Sequence, residues 1–307
     1  SVSKVTEKVA QVQAIKQRLT KSIAHRQSVG ASLNYDVADQ TERINSVSTD
    51  DDFGRNVFEV VWQPPCAIFD QDTPLPPGNY SIVLTPNTSY QKAALECKTD
   101  NAGKLEVNQM HLYVAQIDGE SPPADFSYYL DLQEVACVAQ SIKNRDEQLD
   151  FNVKPSTYAL SVAMQASTAG ADQKTSASRF KGNTDEEYGL TQLRIQYASQ
   201  TQPSPDANPD FTDKIDYMTR LYSDCMLNSN MYFSNGGAES QRQWLVEGPV
   251  YHYTFLKPQG DTSKHASVNF TYKAVTGENL LLFSWYSNIA QITYSQGRIV
   301  NTQVESA

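Results

Sequence analysis

Histidine is the side chain best suited to move protons near neutral pH, and this chain has four, His25, His111, His252 and His265. A Ser-His-Asp site needs one of them beside a hydroxyl and an orienting carboxylate. His252 alternates with the core side of a strand pattern, which predicts a surface or interface residue. His111 lies between apolar residues and is expected to be packed, whereas His265 falls in a predicted turn. No hydrolase, zinc-protease, phosphate-loop or dinucleotide motif occurs, so we predict a protein that is not an enzyme and uses no cofactor.

Neighbouring carboxylates are the other residues that could do chemistry. Asp185–Glu187 and Asp146–Glu147 could form an acid pair, but a glycosidase needs two carboxylates that face each other across a cleft. Adjacent acids on polar loops indicate solvated turns, and the same holds for Asp50–Asp52 as a metal site. A β-sandwich hydrolase that uses Glu186 or Glu187 remains the least favoured alternative.

The cysteines indicate neither a metal site nor a redox motif. Cys66, Cys97, Cys137 and Cys225 form no C-x-x-C pair and lie in or beside apolar runs. Four buried thiols without disulfides are therefore expected, although a disulfide remains open. No metal site is predicted.

Positive charge is concentrated at the N-terminus of an acidic chain. The net charge is −10, which argues against nucleic-acid binding by the whole surface. Residues 1–30 have a net charge of +5, so the remainder has −15. This asymmetry fits either a solvated helix face or a contact with nucleic acid. The basic residues that could make this contact are Lys4, Lys8, Lys16, Arg18, Lys21 and Arg26.

The first 54 residues are expected to form a helical arm followed by a linker. Apolar residues recur every three or four positions between Val2 and Ile23, and Gly30 is a suitable stop, which predicts a helix over residues 1–30. The helix is expected to pack against its own domain, with a coiled coil or a partner as alternatives. Residues 31–54 are polar and acidic and are predicted to be a linker.

Short alternating strand patterns fill the rest of the chain and predict an all-β sandwich or barrel. Phe126–Ile142 is expected to contain a bend or two strands, and Leu280–Phe283 to be a central buried strand. The proline-rich segment Pro203–Pro209 predicts a boundary between domains 55–202 and 203–307, followed by an inserted helix over residues 213–227. The other predicted strands are Asn56–Trp62, Tyr80–Leu84, Val107–Ile117, Leu149–Val153, Tyr158–Met164, Leu190–Ala198 and those between Trp244 and Val304.

Four segments resemble the major capsid proteins of polinton-like viruses and virophages: Val60–Asp70, Leu75–Tyr80, Leu149–Tyr158 and Trp244–Tyr253. The resemblance implies a double jelly roll, two jelly rolls side by side, and trimers that form pseudo-hexameric capsomers around a DNA genome. Implied partners are further copies of the chain, penton and minor capsid proteins, and the genome or an inner membrane through the basic segment. The implied location is the virion, after assembly inside the host cell. A single-roll penton protein at the capsid vertex is an alternative.

A carbohydrate-binding or adhesin-type sandwich is the alternative from another class. It would need aromatic side chains exposed on one face, and Trp62, Trp244 and Trp285 are the candidates. Their apolar, strand-like surroundings favour core positions instead.

Overall fold

A computed structural model describes most of the C-terminal two thirds of the chain and parts of the rest. The described residues are 3, 5, 8–21, 48–50, 55–57, 63–71, 74–85, 109–114, 125–166, 180, 190–203, 216–229, 240–241, 244, 248–257, 261–272, 278–296 and 298–306.

Antiparallel strands dominate these residues, as the sequence predicts. The strands are β1 Ser48–Asp50, β2 Arg55–Val57, β3 Asp125–Ser141, β4 Asp146–Asn152, β5 Thr157–Ala166, β6 Leu190–Tyr197, β7 Gln200–Gln202, β8 Val250–Thr254, β9 His265–Tyr272, β10 Glu278–Ser295 and β11 Arg298–Ser306. The helices are α1 Val9–Thr20 and α2 Tyr222–Asn228, with a 3₁₀ turn at Ala67–Asp70 and a π-helical segment at Asp216–Leu221.

Strands β3 to β10 form an eight-stranded jelly roll. The first sheet has the order β3-β10-β5-β8, and the second has the order β4-β9-β6-β7. Numbered from one to eight along the chain, the strands run 1-8-3-6 in one sheet and 2-7-4-5 in the other. This interleaving of two sheets is the jelly-roll arrangement. The structure therefore confirms the predicted all-β jelly-roll sandwich.

Both sheets contribute to one hydrophobic core. Leu160 and Phe283 of the first sheet belong to the same buried cluster as Ile195 and Val268 of the second. Leu160 pairs with Ser284, so Leu160 and Phe283 lie on opposite faces of the first sheet, and the cluster includes residues of α1 as well as those between the sheets. The prediction that Leu280–Phe283 is a central buried strand is confirmed, because β10 has a neighbour on each side and these residues are fully buried.

The domain boundary predicted between residues 202 and 203 falls inside this roll. β10, beyond the boundary, pairs with β3 and β5 before it, and β9 pairs with β4 and β6. Pro203 directly follows β7, where the pairing of β7 with β6 ends, but later strands continue in the same roll. Residues 125–295 thus contain one complete roll, and a second roll stays a prediction.

Strand β3 is continuous over 17 residues, so the expectation of two strands in Phe126–Ile142 is wrong, and the alternative of a bend stays a prediction. β3 pairs with β10 from Ser141↔Asn279 to Asp125↔Ser295. The other side of β10 is shared, because β5 pairs with Glu278–Tyr286 and β11 with Asn288–Ser295. The first part of β3, the last part of β10 and β11 therefore form a three-stranded sheet beyond the roll, which we call the extension.

The extension has a small hydrophobic core of its own. Leu130, Leu132, Ala290 and Ile292 are buried against the 3₁₀ turn, where Ala67 is also buried. This second core explains why both long strands continue past the roll, since their inner side chains remain covered.

Two segments predicted as strands lie outside any sheet. Within the described parts of Tyr80–Leu84 and Val107–Ile117, the backbone is in no strand and the apolar side chains are exposed. Both predictions are wrong for these residues. Alternation reports the side-chain pattern of an extended chain, whereas a strand also requires a partner with unpaired backbone groups.

The two helices pack on the roll. Val12, Ile15 and Leu19 of α1 join the main core, which confirms packing against its own domain; residues 22–30 of the predicted helix lie outside the description. The helix predicted over residues 213–227 is present, within the described residues, as the π-helical segment Asp216–Leu221 followed by α2, and Leu221 and Cys225 are buried. The Asn228 side chain ends this helix and accepts hydrogen bonds from the backbone N–H and the hydroxyl of Thr254 on β8 (3.3 and 3.0 Å).

Replacing Phe283 by alanine should destabilise the fold by about 3–5 kcal/mol, because it empties the centre of the core. Its ring is fully buried and lies 5.8 Å, edge to face, from that of Phe180. The matched control is Tyr129→Ala, which removes a ring that is 63% exposed on the same sheet. Urea unfolding of both variants measures the effect, and equal losses would contradict this assignment of the core.

Candidate interaction surfaces

The histidines are not arranged for catalysis in the part of the chain that is described. His111 is exposed, against the expectation of a packed side chain, and His265 begins β9 instead of lying in a turn. His25 lies outside the described residues. Among these residues, no three His, Cys, Asp or Glu side chains are close enough together to hold a metal ion.

His252 is buried in the first sheet, so its prediction as a surface residue is wrong. Its Nδ1 lies 2.7 Å from the Ser161 hydroxyl, and the indole N–H of Trp285 donates to the same hydroxyl oxygen at 2.8 Å. An indole N–H can only donate, so the Ser161 oxygen accepts there, and the Ser161 O–H donates to Nδ1 in the tautomer that carries the ring proton on Nε2. The remaining ring N–H donates to the backbone carbonyl of Asn228.

This Ser-His pair is a structural network and not a nucleophilic site. The histidine accepts the serine proton in a closed arrangement whose third member is an indole, where a triad has a carboxylate. Burial lowers the pKa of His252 from 6.5 to about 4, against the opposing effect of the Asn228 backbone. The ring is therefore neutral near pH 7, and it links β5, β8, β10 and α2.

Arg18, one of the predicted nucleic-acid contacts, is only 1% exposed. Its guanidinium donates to the backbone carbonyls of Gly248 (2.6 Å) and Trp244 (3.5 Å). Its Cζ also lies 5.7 Å from the centre of the Phe180 ring. Gly248 has a φ of 96°, a left-handed conformation that favours glycine and presents its carbonyl to the arginine. Arg18 thus fastens α1 to the roll and cannot reach a nucleic acid.

Lysines on the same helix hold it to the segment around the 3₁₀ turn. Buried Lys16 forms an ion pair with Asp70 and donates to the Pro65 carbonyl at 3.1 Å. Lys21 lies 3.4 Å from the same carboxylate, which also accepts from Gln63 at 3.1 Å. Lys16 is therefore removed from the predicted contact surface for the same reason as Arg18.

Of the other predicted contacts, Lys8 is exposed and Lys21 is half-buried, while Lys4 and Arg26 lie outside the described residues. A contact between these side chains and nucleic acid stays a prediction. The sequence could not separate the two groups, because α1 buries more of its circumference than its apolar stripe indicates.

The cysteines agree with the expected thiols where they are described. Cys137 and Cys225 are buried and Cys66 is half-buried, and all three are free thiols. Burial raises the pKa of Cys137 to about 12, so this thiol is unreactive near neutral pH. Cys97 lies outside the described residues.

The two described tryptophans among those proposed for sugar binding are not on a surface. Trp244 and Trp285 are buried, which confirms the expected core positions; Trp62 lies outside the described residues. The outer face of the second sheet has a shallow polar depression, but the one aromatic residue among its described lining, Phe270, points its ring into the core. Its polar lining includes Gln148, Gln192, Arg194, Gln196, Asn269 and Thr271.

The most unusual described surface consists of apolar side chains in the two segments that lie outside the sheets. Val83 is 81% exposed, and its neighbours Ile82 and Leu84 are each more than 40% exposed. Exposed apolar residues that lie together mark binding surfaces on folded proteins. A second group has the same character: Met110, Leu112, Tyr113 and Val114. Neither group was recognised as exposed from the sequence, because both lie in predicted strands whose alternating pattern would bury their apolar side chains in a sheet.

Solved structures of viral capsids are similar to part of the chain, whereas no family model and no curated protein matches it. The major capsid protein of mavirus has 14% identity and a TM-score of 0.34, the Sputnik virophage structure 10% and 0.38, and the PBCV-1 virus capsid 12% and 0.35. The matches cover 63, 61 and 60% of this chain and 44, 40 and 52% of those chains, respectively. The chain thus spans about half the length of these proteins, or less.

None of the helices in the described ranges is long and apolar enough to cross a membrane.

Lowering the pH from 6.5 to 4 should remove roughly 3 kcal/mol of folding free energy through His252. The folded pKa lies below that of the unfolded chain, so this contribution is complete above pH 6.5 and is lost as the unfolded state takes up the proton. Urea unfolding at several pH values should show a shallower slope for His252→Gln in this window than for the unchanged protein. The control is His265→Gln, at an exposed position, and equal slopes for both variants would contradict the prediction.

Arg18→Ala should destabilise the protein by about 1–3 kcal/mol for each carbonyl left unpaired, because those buried acceptors have no access to water. The matched control is Lys8→Ala, at the exposed residue directly before α1, which should change the unfolding midpoint little. If both variants unfold alike, Arg18 does not hold the helix on the roll.

Proposed function

We propose that this protein is a structural subunit of a viral capsid, located in the virion and assembled from copies of itself around a DNA genome. Jelly rolls are common in viral capsid and lectin domains, so the fold narrows the candidate functions but does not identify one of them by itself.

The exposed apolar side chains of residues 82–84 and 110–114 carry the proposal. None of these side chains belongs to either buried cluster, so the described cores are formed without them. A shell subunit has to bury such surface against its neighbours, because an obligate interface is more apolar than the remaining surface. The capsid structures named above agree with this function in kind.

A carbohydrate-binding module fits the surface less well. Sugar platforms use exposed aromatic rings, whereas Trp244 and Trp285 are inside the core. The polar depression on the second sheet offers amides and Arg194 but no exposed ring among its described residues. Asp146 and Glu147 also line this depression, but they are adjacent on one strand and not opposed across a cleft, and the Glu147 carboxylate accepts from the backbone N–H groups of Lys143 and Asn144. The hydrolase candidates Glu186 and Glu187 lie outside the described residues.

The number of rolls bears on which capsid subunit this is. A pseudo-hexameric capsomer made of three copies needs two rolls in each copy. The described strands form one complete roll, and this observation favours a second candidate, a vertex protein that forms pentamers. Trimers would require the predicted second roll in the remainder of the chain.

A genome or inner-membrane contact would have to use the N-terminal cations that are not committed to the fold. Lys16 and Arg18 are occupied by Asp70 and by backbone carbonyls. Lys21 is also paired with Asp70, so we place this proposed contact on Lys8, which is exposed, and on Lys4 and Arg26, which lie outside the described residues. Their positive charge would act as a modest tether.

Light scattering and electron microscopy of the purified protein test the proposed function. We expect stable closed oligomers: three copies with a hexagonal outline for a shell protein, or five copies for a vertex protein. A chain that stays monomeric at high concentration would exclude both, and binding on a glycan array would then favour the carbohydrate-binding alternative.

A further inference from the structure

We propose that Ser81–Thr85 of one copy adds as a strand to the outer edge of β11 in a second copy, so that subunits join head to tail. This inference rests on the proposed function and names the contact through which copies assemble.

The donor segment has a strand sequence but no strand partner among the described residues. Ser81–Thr85 contains three consecutive large apolar side chains, and none of its described residues belongs to a sheet. Pro86 follows directly and limits an added strand to about five residues, because proline cannot donate to a ladder. β-Strand addition uses this kind of short extended segment.

The segment is presented by its own subunit at the extension. Before it, the Tyr128 hydroxyl donates to the Pro74 carbonyl, and the Tyr80 hydroxyl donates to the Pro76 carbonyl. Gly78 lies against Ile299 of β11, where an added Cβ would come within 2.5 Å of the Ile299 Cδ1 atom. The chain is thus anchored up to Tyr80, and the side chains of the next five residues are exposed.

β11 is the acceptor edge that the structure favours. It is nine residues long, and within the described residues it pairs with β10 alone. Its inward side chains, Thr302 and Val304, lie beside the fully buried Ile292 and Ala290 yet remain exposed, so the inner layer is incomplete at this edge. A strand added here would complete that layer.

Charge, length and cover together distinguish β11 from the competing edges. β7 is uncharged but only three residues long, and β8 is uncharged but its Thr254 is bonded to the Asn228 side chain of α2. Ile299–Val304 contains no charged residue, and neither does the stretch 74–91 around the donor. β4 carries Asp146, Glu147 and Asp150, and the extension half of β3 carries Asp125 and Asp131. Natural proteins protect sheet edges with such charges. Copies with a net charge of −10 repel each other, so an uncharged strand and an uncharged edge are where they can approach.

A head-to-tail contact of this kind has a geometric consequence. Donor and acceptor are different surfaces, so each copy can give one strand and receive one. Such a heterologous interface closes into a ring when its rotation divides a full turn. Rings are what a capsid vertex or capsomer requires.

The first test compares Val83→Asp with Leu256→Asp by sedimentation and light scattering over a concentration series. The two side chains are 81% and 84% exposed, so neither change should disturb the fold, and circular dichroism checks this. Val83→Asp should weaken self-association about tenfold or more, as for the loss of a central contact, and Leu256→Asp should leave it unchanged.

The second test identifies the acceptor. Val83→Cys and Thr302→Cys, at an inward position of β11, are made in separate, differently tagged copies, which are co-expressed and mildly oxidised. A disulfide requires Cα atoms within about 7 Å, so a band of two linked chains should form only when both variants are present. Each variant alone, with the native cysteines unchanged, is the control.

The outcomes separate this inference from the proposed function. If the unchanged protein assembles and Val83→Asp assembles equally well, strand addition is wrong while a capsid subunit remains supported. No mixed cross-link despite weakened assembly by Val83→Asp would overturn β11 as the acceptor. If the unchanged protein never assembles, the proposed function fails as well.

Discussion

The pairing of β3 with β10 is the interaction on which the rest of this structure depends. It runs without a break from Asp125↔Ser295 to Ser141↔Asn279 and therefore joins residues about 140–170 positions apart in sequence. One half of the pair closes the jelly roll, and the other half forms the extension with β11. Because loop closure has to precede these contacts, the gain comes only when both strands are in place. The main core and the small core lie on the two halves of this single ribbon.

The N-terminal helix shows how charge can be part of a core. Removing a cation from water costs several kcal/mol unless its hydrogen bonds are replaced. Arg18 obtains replacements from two carbonyls and an aromatic ring, and Lys16 from Asp70 and the Pro65 carbonyl. The basic residues of α1 therefore act first as fasteners between the helix and two distant parts of the chain. A positive segment at the end of an acidic chain is weak evidence for a nucleic-acid partner for this reason.

Local patterns predicted the strands well and their partners poorly. β5, β6 and the buried centre of β10 follow from alternation, which records which side chains are covered. The same alternation in residues 80–84 and 110–114 predicted strands, although those residues are exposed and unpaired in the described structure. Pro203 marked where the chain leaves a sheet, but pairing between strands on its two sides is non-local and left no trace in the sequence. The exposed surface of residues 82–84 and 110–114 was not predicted for the same reason, since alternation does not show whether a segment finds a strand partner.

His252 illustrates a second limit of sequence reasoning. Its neighbours Tyr251 and Tyr253 are buried as well, so the strand is covered on both faces and alternation carries no information there. α2 covers one face of the strand, and this helix comes from the segment that follows the proline-rich stretch. The partners of His252 are a serine more than ninety positions before it and a tryptophan on another strand. Such a network becomes visible only when the strands are paired.

The proposed assembly rests on two features that monomeric proteins usually avoid. A nine-residue edge without charges at its centre and an apolar strand-like segment without a sheet are both hazards for aggregation. Most of the chain counters this hazard with negative charge, which keeps copies apart except where the uncharged surfaces meet. Proline on both sides of the donor keeps it short, so the strand that we propose it adds to a second copy would be about five residues long. In that proposed head-to-tail contact, the rotation between successive copies, and not the length of the added strand, decides between a closed ring and a fibre.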